Sequence, residues 1–208
     1  MTDDETLLEL MHLIGRGETG AADRLLRVTP ALARAELVGS PAKPTPADYF
    51  VAECHLQLYA GDTALHVAAA SYAPPIIDRL LEAGADVRAR NRRGAEPLHA
   101  ATVGGPGSTN WAPDRQAGVI AQLVAAGADP NAPAVGGVTP LHRAVRNRCS
   151  AAVRALLDVG ADPDRPNNAG STPLMLAGWT TGRGGSGSLD AKSEQAEIVR
   201  LLTHAATT

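Results

Sequence analysis

The chain has 208 residues, a formal net charge of −3 and only 3% aromatic residues. That length suffices for one well-cored domain or a short repeat array, and the near-balanced charge argues against a dedicated nucleic-acid binder, which carries a basic excess. A core so poor in aromatics is expected to rest on close approach of small residues, and no apolar run nears the roughly 18 residues of a membrane span, so neither nucleic acid nor membrane is an expected partner.

The first ten residues, MTDDETLLEL, are acidic where a secretory signal would be basic. With two cysteines far apart, Cys54 and Cys149, they point to a reduced, cytoplasmic setting. All but two basic residues (Lys43 and Lys192) are Arg, as expected of a GC-rich bacterial genome, so Arg content alone marks no site. Residues 1–38 read as a helical N-terminal capping unit, with helices near 5–15 and 19–28 and a short one begun by Thr29-Pro30. Residues 39–60 read as an irregular connector, Pro-rich at GSPAKPTPAD and then running through Tyr49, Glu53, Cys54 and His55.

From Gly61 the chain repeats itself. GDTALHVAA, GAEPLHAAT, GVTPLHRAV and GSTPLMLAG begin at Gly61, Gly94, Gly137 and Gly170. LLEAGADV, LVAAGADP and LLDVGADP close the first three units. Each unit predicts two helices. Thr63, Thr139 and Thr172 suit helix N-caps, and Pro97, Pro140 and Pro173 suit first turns, where a missing N–H is harmless. Ala68, Ala101, Ala144 and Ala177 allow close packing. Ile76, Ile77, Leu80 and Leu81 fall at helical spacing, and Gly84, Gly127 and Gly160 suit left-handed stops.

A period of about 33 residues with a T-P-L-H block resembles the ankyrin-repeat family. The match covers residues 61–206, in units 61–93, 94–136, 137–169 and 170–206, and residues 5–35 resemble a degenerate capping unit. The resemblance implies an all-α solenoid of stacked helix-turn-helix units with short hairpin connectors. It also implies that His66, His99 and His142 bridge neighbouring units by hydrogen bonds rather than hold a metal. Met175 takes their place in the last unit.

Two units are too long. The second carries an insertion at 104–116 and the fourth one at 180–192, both between the paired helices. Such loops project from one edge of a solenoid. Trp111 lies in the first and Trp179 borders the second. If the loops fold inward, Trp111, Arg146, Trp179 and Arg183 would surround one small-ligand pocket; ordinary surface excursions are the plainer reading. TGRGGSGS lacks the ending of a phosphate-binding P-loop and reads as a flexible loop.

The family resemblance makes a protein-interaction module the leading expectation. A partner would dock on the concave face, against Arg90, Arg92, Arg93, Arg146, Asn147, Trp179 and the first-helix residue Ser71. Arg88, Arg90, Arg92 and Arg93 crowd one hairpin, and Arg143 and Arg146 follow two units on, a basic stripe suited to an acidic partner. The rival expectation is a small-molecule binder or an unusual, biosynthetic enzyme. There His55, Asp114, Arg146 and Arg183 are the candidate catalytic groups, and Trp111, Trp179 and Arg183 join the binding set. No catalytic motif is recognisable, and no cofactor or metal is expected. Cys54-His55 reads as packing, because adjacent residues rarely face each other.

Overall fold

A computed structural model describes residues 3–39, 49–109, 111–179 and 188–205. The chain forms ten α-helices among these residues: α1 (Asp3–Gly15), α2 (Thr19–Val28), α3 (Ala64–Ala70), α4 (Pro74–Glu82), α5 (Pro97–Ala100), α6 (Pro113–Ala125), α7 (Pro140–Arg146), α8 (Ser150–Asp158), α9 (Pro173–Ala177) and α10 (Leu189–Ala205). Odd and even helices form two layers. In one layer α1, α3, α5, α7 and α9 pack in succession; in the other, α2, α4, α6, α8 and α10 do the same. The result is a helical solenoid.

Sequence dictates which helix joins which layer. Every residue of α3, Ala64 to Ala70, is buried, because neighbours cover it on several sides and its many Ala side chains let them approach. The outer helices are one-sided. Ile76, Ile77 and Leu80 of α4 point inward, as do Val119, Ile120 and Leu123 of α6 and Ala152, Val153 and Leu156 of α8. Full burial of each Val, Leu or Ile contributes about 1.5–3 kcal/mol, and only an adjacent unit makes it available. Gly84, Gly127 and Gly160 follow these outer helices at positive φ, where a Cβ is unfavourable.

The chain then runs through a hairpin to the next unit. At the tips Asn91 Oδ1 accepts from the N–H groups of Arg93 and Ala95, and Asn167 Oδ1 does the same for Ala169 and Ser171. Successive hairpins join through their backbones: Arg92 N donates to Ala60 O (2.7 Å), Val135 N to Arg93 O (2.9 Å) and Asn168 N to Gly136 O (2.9 Å).

The N-terminal helices stack as one more layer. A single-turn helix, Pro30–Ala33, follows α2, and Arg79 of α4 donates to Asp23 of α2 at 2.8 Å. The connector holds two short antiparallel strands, β1 (Phe50–Val51) and β2 (Leu56–Gln57), with Phe50 opposite Gln57 and Val51 opposite Leu56. Both inserted stretches end in helix. Residues 113–116 form the first turn of α6, and 189–192 the first turn of α10; extra length has become extra helix as well as loop.

Candidate functional site

The repeated histidines close the units onto one another. In each, Nδ1 accepts from the backbone N–H of the cap residue three positions earlier: Thr63, Glu96 and Thr139. That leaves Nε2 protonated, and it donates into the next unit at 3.1 Å: His66 to Ala95 O, His99 to Val138 O and His142 to Ser171 O. Burial pushes His99 down to about 3 and lowers His142 as well, so both rings stay neutral. Glu96 stands where the other caps are Thr. It is fully buried, Arg90 donates to it at 3.0 Å, and burial pushes its carboxyl up against that pull. Among the described residues no group of three or more His, Cys, Asp or Glu side chains is placed to hold a metal ion. No helix among them is long and apolar enough to cross a membrane.

The inserted loop of the second unit is tied down by a polar cluster. Gln116, in the first turn of α6, is fully buried and donates to Ala101 O (2.9 Å) and Val103 O (3.1 Å), carbonyls left free where α5 ends. Its Oε1 accepts from the Trp111 indole N–H (3.2 Å) and the Cys149 thiol (2.7 Å). The Tyr72 hydroxyl also donates to Val103 O. Gly104, at φ +93, leaves room for that phenol, since a Cβ there would lie 2.6 Å from Tyr72 Oη. The fourth unit repeats the device. Gln195 donates to Ala177 O (2.7 Å) and Trp179 O (3.3 Å), and Arg148 donates to Trp179 O (3.3 Å), Gln195 Oε1 (2.8 Å) and Ala191 O (3.4 Å). Tyr72 and Arg148 occupy the same repeat position, and both are left-handed, at φ +50 and +56.

Inside the curve of hairpins and odd-numbered helices runs a groove of about 920 Å³. Its walls carry Arg93, Arg143, Arg146 and Arg148 against one acid, Asp62. Asp62 is already engaged, accepting from Tyr59 N (2.7 Å) and Asn91 Nδ2 (2.8 Å). None of the four arginines has a carboxylate within ion-pairing distance among the described residues. Burial, then the neighbouring Arg146 and Arg93, lower Arg143, with Asp62 opposing. Arg92 and Arg93 stack over the Tyr59 ring, 4.9 and 5.4 Å from its centroid. Trp179, 58% exposed, stands at the fourth-unit end.

A family model for ankyrin repeats, in three copies, matches residues 112–207, and a model for a single ankyrin repeat matches residues 60–92. Together they span more than half of the chain. The chain belongs to the ankyrin-repeat family. The gap between the two matches, residues 93–111, holds α5 and the first part of the insertion at 104–116. A search of curated proteins finds no match. Ankyrin repeats are in general protein–protein interaction modules.

The ankyrin array brings together some of the residues singled out by sequence and separates others. Arg93, Arg146, Asn147, Trp179 and His55 all line the groove. Arg90 does not; its charge is spent on Glu96. Arg92 is exposed beside Tyr59. Arg88 lies 3.9 Å from Asp129, so two of the four hairpin arginines meet internal acids. Trp111 stands apart from them. It turns into the body, against Gln116 and Cys149, and is not among the residues that line the groove with Trp179 and Arg146; its indole N–H and its packing on the core hold the loop down. Asp114 is exposed in the first turn of α6, outside the groove. Arg183 lies outside the described residues. Cys54 is buried and its thiol donates to Val51 O (3.8 Å), while His55 is exposed and edge-on to Phe50; burial pushes the thiols of Cys54 and Cys149 up. Sequence reading missed Arg148, Gln116 and Gln195 as a set. Their signal is an alignment of the first unit with the third and of the second with the fourth.

Proposed function

We infer that the chain is a binding module whose concave groove receives a polypeptide segment of a partner protein, drawn in by net positive charge. The observation that carries this reading is the charge segregation: four arginines and one already occupied acid in one groove, within a chain of net charge −3. Positive potential concentrated in a concave, low-dielectric cleft attracts acidic partners and speeds their encounter. A stiff array of mutually capped units loses little entropy on docking. Two buried, unpaired thiols suit a reducing, cytoplasmic setting.

The test is selection of random dodecapeptides displayed on phage against the full chain, followed by titration of the selected peptides against Ala169→Trp. Ala169 is an exposed residue on the groove wall, so a bulky ring there obstructs the channel without touching the core. The expected result is binding to the native chain and a loss of at least about tenfold in the variant. Peptides that bind both alike, or a selection that yields none, would overturn the reading.

A further inference from the structure

The fourth-unit end of the groove holds an uncompensated positive charge. Arg148 is 3% exposed, yet among the described residues its guanidinium meets only Trp179 O, Ala191 O and the Gln195 amide oxygen. Its hydrogen bonds are made, but no carboxylate among the described residues pairs with its charge. Burying such a charge is costly without an opposite one, and the left-handed backbone at φ +56 adds strain for a non-glycine residue. Tethering the loop does not require the charge. In the first half of the array Tyr72 holds the equivalent carbonyl, Val103 O, with a neutral hydroxyl.

We propose that Arg148 and Arg146, beside the exposed indole of Trp179, form a subsite for the carboxylate of an Asp or Glu side chain in the docked polypeptide. The proposal rests on the groove-binding reading and locates one contact within it. Arg146 is exposed and free of carboxylate partners among the described residues, so its planar fork is available for a two-point grip on a carboxylate. Arg148 lines the same groove from a fixed, water-poor position, where its field is least screened. Trp179 offers an apolar face to the residue next to the acid. The occupant is an acidic side chain carried on a chain segment rather than a free anion, because the groove continues past Arg143 and Arg93 toward Tyr59 and gives the flanking residues somewhere to lie.

Dodecapeptides selected on the native chain are fluorescein-labelled and titrated by anisotropy, alongside copies with every Asp and Glu changed to Asn and Gln. Three proteins are compared: native, Arg148→Tyr and Arg146→Gln. Arg148→Tyr copies the side chain found at Tyr72, so it removes the charge and keeps a hydroxyl tether; its fold is checked by circular dichroism and melting. If it fails to fold, the exposed Arg146→Gln still decides. The expected results are acid-containing peptides, a loss of about tenfold or more in their amide copies and in Arg148→Tyr, and a loss of about fivefold in Arg146→Gln. Groove-bound peptides indifferent to acid, or acidic peptides that bind both variants like the native chain, would overturn the subsite while leaving groove binding intact. Millimolar glutarate is the probe for a free anion: displacement of the peptide at equal affinity would overturn the polypeptide source, and failure to displace it supports that source. Peptides insensitive to Ala169→Trp would instead overturn the groove reading itself.

Discussion

His99 shows how a recurring residue acquires one fixed protonation state. Its Nδ1 accepts from Glu96 N and its Nε2 donates to Val138 O, so a second proton would break the capping contact. With a folded value of about 3 against an ordinary 6.5, the unfolded chain binds the proton first as pH falls. Its contribution is therefore fully present above pH 6.5 and is lost progressively toward pH 3, at about 1.4 kcal/mol per pH unit. Urea denaturation at pH 7 and pH 5 should show the native chain losing about 2 kcal/mol that His99→Gln does not lose. Glu96, raised in the folded chain, works in the opposite sense in both proteins and largely cancels from the difference. The two tryptophans should part company in a second measurement. Trp111→Ala removes a half-buried plug and should cost about 2–3 kcal/mol, whereas Trp179→Ala should change stability by less than about 0.5 kcal/mol and weaken binding of the selected peptides. The histidine bridges were legible in sequence as what the ankyrin resemblance implies, with a spacing of one histidine per unit arguing only against a shared ion. The fate of Trp111 was not, since proximity to a glycine-rich stretch says nothing about which way an indole turns.

Among the elements, the inner and outer helices were legible from Pro, Thr and Gly punctuation and from apolar spacing, and the N-terminal pair near 5–15 and 19–28 lies where the apolar pattern puts it. The lengthening of α6 and α10 was not legible. An insertion counted in residues does not declare how much of it will wind into helix, and here Gln116 and Gln195 decide by capping the carbonyls that α5 and α9 leave free. Gln116→Leu should leave Ala101 O unpaired, leave Val103 O with the Tyr72 hydroxyl alone, and cost about 2 kcal/mol in a denaturant titration. Gly105→Ala tests the same loop by space alone. A Cβ there would collide with the carbonyl of Asn147, and overpacking of this kind should cost about 1–3 kcal/mol.

For the whole molecule, the charge pattern matters more than its sum. Hairpin arginines are numerous in the sequence, but only three-dimensional pairing reveals that Arg88 and Arg90 meet internal acids while Arg93, Arg143, Arg146 and Arg148 are left to the groove. Association of an acidic peptide should accordingly slow as sodium chloride rises from 50 to 500 mM, with a smaller change in dissociation, as read by stopped-flow anisotropy. The twin tethers carry a further consequence for how this scaffold lengthens. Tyr72 to Arg148 and Val103 to Trp179 are both separated by 76 residues, so the array advances in strides of one plain and one enlarged unit. A third stride spliced in before Gly137 would extend the channel by roughly 20 Å with every left-handed tether meeting a loop. Splicing in a single plain unit before Gly94 would instead strand Tyr72 opposite a neighbour with no loop to hold, making the pair the natural quantum of growth.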